Sequence, residues 1–283
     1  MAARVTVTAR QERLGKELRR LRERAGLSLR EAARAAGINE GKFSTMESGR
    51  VATSADRVRL LAGQYACDDS ALVDALAAMT GERARGWWDK HRRMLPQGFL
   101  DLAELEHHAA YLRSFENVQI PGLLQTEEQV RAIYSTSESR LPREQVEARV
   151  QFRLARQVAL DKEAPFRFEV VIHEAALRVR VADGEVARRQ LLHILEQSER
   201  PQVTVRVVPF ERDGFTRIGN PMLIAGGSVP QLDTVLLDTA HGPMYMDAEA
   251  QLSRYRRVIG DVEGAALGVV ESRDFLHELA KRT

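Results

Sequence analysis

The run from Gly26 to Arg50, GLSLREAARAAGINEGKFSTMESGR, leaves the chain few choices about its local fold. Ser28 with Glu31 three residues on is a capping box, in which each side chain satisfies a backbone N–H that the start of a helix leaves open. It begins a short helix in which Ala32, Ala33 and Ala36 are small enough to let a neighbouring helix come close. Gly37 then takes the left-handed conformation that stops a helix. Asn39 is a competent N-cap for a further helix through Ser48, and Gly49 closes it. Two short helices joined by a tight glycine-containing turn present the second helix to the major groove of DNA.

On that second helix Phe43 and Met46 lie three residues apart and are expected to face inward. Glu40, Gly41, Ser44 and Thr45 then point outward, where bases would be read. Lys42 and Arg50 flank this face as phosphate partners, and Asn39 stands at its start. Open N–H groups near Ser28 and Leu29 offer another phosphate site. Gly41 has no side chain with which to read a base, and Glu40 accepts from cytosine N4 but repels phosphate.

Leu14, Leu18 and Leu21 recur at i, i+4 and i+7, which predicts an amphipathic helix from Arg10 to about Gly26. Thr53 and Asp56 give a capping signature before Val58, Leu60 and Leu61. A fifth helix fits Asp68 to Met79. Residues 1–80 are therefore expected to form an all-α, five-helix domain.

Charge divides along the chain in the same place. Residues 1–66 carry 14 Lys and Arg against 7 Asp and Glu, a balance of +7, and the remainder carries 28 against 33, a balance of −5. A basic end joined to a mildly acidic body suits a chain in which one part meets phosphates. The dominance of arginine, 37 residues against 5 lysines, reflects codon usage more than function. The single cysteine, Cys67, allows no internal disulfide, and no leader-like segment opens the sequence. Charges interrupt every apolar run before the roughly 18 to 20 residues a membrane helix needs. The expectation is a cytoplasmic protein with no membrane contact.

Residues 81–99 contain RARGWWDKHRRMLPQG, basic and aromatic with no sustained period, and are read as a linker. Trp87 and Trp88 suit docking of that linker against protein better than contact with DNA. Residues 100–283 are expected to form a larger mixed α/β domain with regulatory or dimerisation roles. Helical patterns run from Leu100 to Glu116, Thr126 to Tyr134 and Arg143 to Leu160. Phe166 to Ile172 and Val203 to Val208 read as strands around a helix from Glu185 to Glu199, which suggests a parallel crossover unit. Short strands at Pro221 to Ala225 and Val235 to Asp238 precede helices at Ala248 to Val262 and Ser272 to Lys281.

The N-terminal run resembles the helix-turn-helix of the phage repressor and Cro (XRE-like) superfamily, with its small residue, turn glycine and Glu-x-Gly after the recognition helix. That resemblance implies a buried ion pair between Arg22 and Glu47. The segments FENVQIPGLLQTEEQVRAIY, ARVQFRLARQVAL, VVIHEAALR, QLLHILEQSERPQVTVRVVPF and SRYRRVIGDVEGAAL resemble the large domain of unknown function behind such a module in many actinobacterial regulators. The combined resemblance implies a transcription regulator, with a small partner protein as one means of control.

HEAAL from His173 lacks the second histidine of a zinc-protease helix, having Leu177 there, and adjacent His107 and His108 cannot act as an i, i+4 metal pair. No nucleophile triad, phosphate-binding loop or dinucleotide fingerprint is present, so neither metal, cofactor nor enzyme activity is expected. Glu174 and Arg178, together with Arg153 and Arg156, are candidates for binding a small polar or anionic effector, against the alternative of a structural ion-pair network. The expected partners are double-stranded DNA and a second copy of the chain. Control falls either to a small-molecule effector or to a small regulatory protein for which the C-terminal half is an adaptor.

Overall fold

The computed structural model describes residues 7–80, 86–137, 141–162, 166–213, 215, 219–239 and 241–283. The chain divides into two compact units, one of Met1–Lys90 with Phe99–Glu104, the other of His91–Gly98 with Leu105–Thr283.

The first unit contains α1 (Ala9–Arg24), α2 (Leu29–Ala35), α3 (Glu40–Glu47), α4 (Ala55–Gln64) and α5 (Ser70–Ala78). Each begins at a side-chain cap: Thr8, Ser28, Asn39, Ser54 and Asp69 each accept from a first-turn N–H. The fourth cap is Ser54 rather than the expected Thr53, because the Ser54 hydroxyl takes the Arg57 N–H at 3.2 Å. Leu18, Ala32, Phe43, Val58, Leu61 and Leu76 form the buried centre, each 1% exposed or less. The helices α1 and α3 meet at two glycines. A Cβ on Gly15 would lie 2.4 Å from the Glu47 carbonyl oxygen, and one on Gly49 would lie 2.7 Å from that of Gln11.

The segment expected as a linker is partly structured. Trp87–His91 is a 3-10 turn, Trp88 is buried, and α6 (Gln97–His108) begins inside the segment. Residues 81–85 lie outside the described residues.

The second unit is built on a six-stranded sheet in the order β3-β2-β1-β4-β5-β6. Its strands are β1 (Tyr111–Glu116), β2 (Arg167–His173), β3 (Val203–Val208), β4 (Met222–Gly226), β5 (Thr234–Thr239) and β6 (Gly242–Met246). The first three run parallel, while β4, β5 and β6 continue antiparallel from β1. Parallel pairing requires crossovers. These are supplied by α7 (Glu127–Ser137) and α8 (Arg143–Arg156) between β1 and β2, and by α9 (Glu174–Arg178) and α10 (Gly184–Gln197) between β2 and β3. The chain ends in α11 (Glu249–Ala265) and α12 (Val269–Arg282).

Strand alternation divides the core in two. Leu112, Phe168, Val170 and Val205 pack with Leu191 and Ile194 of α10 and Leu276 of α12. On the opposite face Phe115, Val171, Ile224 and Leu237 pack with Leu252, Ile259 and Val262 of α11.

The parallel β2-helix-β3 crossover agrees with the sequence reading. Other boundaries do not. The pattern from Leu100 to Glu116 is not one helix: α6 stops at His108 and Tyr111–Glu116 is the central strand, paired on both sides. The helix expected through Leu160 ends at Arg156 and tightens into a 3-10 turn, which leaves Val158 49% exposed. Gly242–Met246 is an edge strand that the sequence reading left out, and such a position tolerates Pro243.

Candidate nucleic-acid interface

The turn between α2 and α3 is fixed from several directions. Gly37, at φ +66°, makes the left-handed turn, and its N–H reaches the Arg34 carbonyl at 3.1 Å. Two side chains of α4 hold the carbonyl end of α2: Arg57 Nη1 donates to the Ala36 oxygen and Gln64 Nε2 to the Ala35 oxygen, both at 2.9 Å. The sequence reading missed both braces, although a basic side chain at a helix C-terminus is a recognisable stabiliser.

The far end of α3 is clamped to α1. Arg22 Nε donates to Glu47 Oε1 at 2.7 Å and Arg22 Nη2 to Oε2 at 3.0 Å, while Nη1 donates to the Leu27 carbonyl at 2.8 Å. Both side chains are buried. The hydrogen-bonded carboxylate raises the guanidinium pKa, and Tyr65, buried beside the pair, is pushed up to about 12 by that burial. Glu47 is thereby a positioning residue, as the resemblance implied.

Phe43 and Met46 face inward at 0% and 5% exposure, and Glu40, Gly41, Lys42 and Ser44 are exposed, with Thr45 partly so. The Thr45 hydroxyl donates to the Lys42 carbonyl at 2.8 Å. Its proton is thus engaged, and what it offers outward is an acceptor lone pair and a methyl group. Asn39 Oδ1 is occupied by the N–H groups of Gly41 and Lys42, so the residue acts first as a cap. A Cβ at position 41 would lie 3.1 Å from that same oxygen, which gives Gly41 a reason to be small beyond any role at DNA.

At the start of α2 the capping box is complete. Ser28 N and Oγ both donate to Glu31 Oε2, at 2.8 and 2.6 Å, and Glu31 N donates to Ser28 Oγ at 3.2 Å. These bonds hold the Glu31 carboxyl below its usual range, so a negative charge already occupies the place proposed for a phosphate near Ser28 and Leu29. Lys42 in the first turn of α3 and Arg50 just beyond its end remain as exposed cations.

The four candidate ligand residues of the second unit fall into two sets. Glu174 Oε1 accepts from Arg178 Nε at 2.5 Å, and its Oε2 accepts from the Phe210 N–H at 2.7 Å, so this pair ties α9 to the segment after β3. Arg156 on α8 is buried against Glu106 of α6, with Nε–Oε2 at 2.8 Å and Nη2–Oε1 at 2.6 Å. Arg153, one turn earlier, donates from Nη1 to Gln125 Oε1 at 2.9 Å and lies over the Tyr134 ring at 4.8 Å.

Residues 13–84 match the family described as a helix-turn-helix domain, and residues 99–278 match the family described as a domain of unknown function, DUF5753. The second match spans more than half of the chain, which therefore belongs to the DUF5753 family and carries a helix-turn-helix DNA-binding domain ahead of it. No curated protein and no solved structure matches the chain. No helix among the described residues is long and apolar enough to cross a membrane.

Proposed function

We propose that this member of the DUF5753 family is a sequence-specific transcription regulator that binds DNA as a homodimer in the cytoplasm. In this reading α3 lies in the major groove with Ser44 and Thr45 toward base edges, and Lys42 and Arg50 contact phosphates. The likeness of the first unit to the phage repressor and Cro superfamily supports the assignment. The observation that carries it is the bidentate Arg22–Glu47 clamp, which fixes α3 from its buried side and leaves its polar face outward. A helix serving only as core has no need of such a face.

The second unit has the size and the mixed sheet of an independent domain, and we assign it the regulatory part: it receives a small-molecule signal and supports pairing of two chains. The test is footprinting of the full chain on genomic DNA. The expected result is protection of paired half-sites about one helical turn apart, roughly 34 Å centre to centre, related by a two-fold axis. Protection without sequence preference would remove the specific regulator, and a single unpaired half-site would remove the dimer.

A further inference from the structure

We propose that the side chains brought together by α7, α8 and β1 around Arg153 form a binding site for a small monocarboxylate, gripped by the Nε/Nη2 edge of Arg153. Three other arginines show what that edge does in this protein. Arg22 grips Glu47, Arg113 grips Glu263 and Arg156 grips Glu106, in every case with Nε on one carboxylate oxygen and Nη2 on the other. Arg153 spends only Nη1, on the neutral amide oxygen of Gln125. Its Nε is buried with no hydrogen-bond partner, and among the described residues Arg153 makes no ion pair.

The Tyr134 ring beneath the guanidinium offers a cation–π contact but leaves the Nε–H unsatisfied. A buried charge without a counter-ion is costly, and burial accordingly pushes the Arg153 pKa down. Arg153 and Glu116 nevertheless both keep some accessible surface, so a small ligand can reach them.

The neighbouring groups select the class of ligand. Ser114 and Glu116 alternate with Phe115 along β1, so they project from the sheet face opposite α11, as Asp238 of β5 does by alternation with Leu237. Ser114 Oγ donates to Glu116 Oε1 at 3.3 Å. Burial pushes the Glu116 carboxyl up to about 8, against the opposing pull of Arg153 and Arg156, so at neutral pH it supplies a hydroxyl donor and not a counter-charge. Arg156 is already neutralised by Glu106, which leaves Arg153 as the cation here whose Nε has no carboxylate on it. Asp238, exposed on the same face, opposes a second negative charge on the ligand. A planar monoanion suits the fork geometry of the open edge, whereas a phosphate dianion would bring a second negative charge toward Asp238.

That the carboxylate is a signal rests on the regulatory role proposed above, whereas its binding does not, and the test separates the two. The full chain is titrated with acetate and benzoate, with benzamide and inorganic phosphate as controls, and the affinity for its footprinted DNA is measured with and without carboxylate. The expected result is saturable carboxylate binding with benzamide and phosphate weaker. In Arg153→Met binding falls by roughly ten- to a hundredfold, while the melting midpoint stays level or rises, since a buried guanidinium with an unsatisfied Nε–H has been removed. Arg153→Lys, which keeps the charge and loses the fork, falls between. If Arg153 is purely structural, both variants melt earlier and the preference for benzoate over benzamide is unmoved. That outcome, or no carboxylate binding up to roughly 10 mM, overturns the site. Carboxylate binding that leaves DNA affinity unchanged keeps the site and overturns the signalling role.

Discussion

Arg22 and Arg153 begin from similar circumstances, each a guanidinium on a helix and drawn into the protein, and end in opposite ones. Arg22 has a bidentate carboxylate on one edge and a backbone carbonyl on its remaining nitrogen. Arg153 has one amide oxygen and an aromatic ring. The first arrangement is closed: every strong donor has an acceptor from the chain, and what results is a helix held in one place with its outer face free. The second is open on the edge that elsewhere grips carboxylates. The contrast separates a charge used to build from a charge left for something else. It also separates two kinds of expected mutational response, one in stability and one in binding.

Glu47→Ala should do the most damage, because it strands Arg22 in the interior. A loss of about 3–5 kcal/mol is expected from the cost of breaking a buried pair, read by denaturant unfolding of the helical unit, with DNA binding lost alongside. An unchanged midpoint would mean that Arg22 finds other acceptors and that the first unit is less closed than described. Next in size is Gly49→Ala, which forces a Cβ to within 2.7 Å of the Gln11 carbonyl oxygen at a residue with φ +73°. Crowding of this kind costs about 1–3 kcal/mol, again read in unfolding.

The open region responds to pH. Glu116 is protonated in the folded protein up to about 8, whereas the unfolded chain ionises at the usual 4.5. Its contribution to stability is therefore complete below pH 4.5 and is lost as pH rises toward 8, because only the unfolded state has released the proton. The slope is at most about 1.4 kcal/mol per pH unit. Glu116→Gln should flatten it, and a parallel slope in the variant would assign the pH dependence to other groups. Smallest in stability is Lys42→Ala, a surface change. It should weaken binding to all DNA alike and reduce the salt dependence by about one counter-ion, and it should leave carboxylate binding in the second unit untouched.

The first unit was largely legible because its signals are local. Ser28 with Glu31, Gly37 and Asn39 each act within a turn of their own position, and Phe43 and Met46 face where a helical period puts them. The single displaced cap, Ser54 for Thr53, shows the limit of such reading, since two adjacent hydroxyls fit the same spacing within one residue. In the second unit the signals are long-range. Tyr111–Glu116 carries Arg113, Ser114 and Glu116 and does not look like a central strand. The Arg113 charge is answered by Glu263, 150 residues further on. Strand β6 was hidden by its two exposed positions, Pro243 and Met244, which an edge accepts and a central strand does not. The candidate ligand set was opaque for a similar reason. Four charged residues named together separate into a structural pair, Glu174 with Arg178, a neutralised Arg156 and an open Arg153, and only the partners supplied by α6 and by the segment before α7 reveal which is which.

The account depends most on α3 being the element that reads sequence, and Thr45 tests that most directly. Its hydroxyl proton is held by the Lys42 carbonyl, so it can accept from an adenine or cytosine amino group or pack its methyl on thymine, but it cannot donate outward without breaking that bond. Affinities of the parent chain and Thr45→Ala should be compared on the footprinted site and on every single-base variant of it. The account predicts loss of discrimination at one base step, about 1–3 kcal/mol, with the other positions unchanged. Identical discrimination at every position by the two proteins would contradict it.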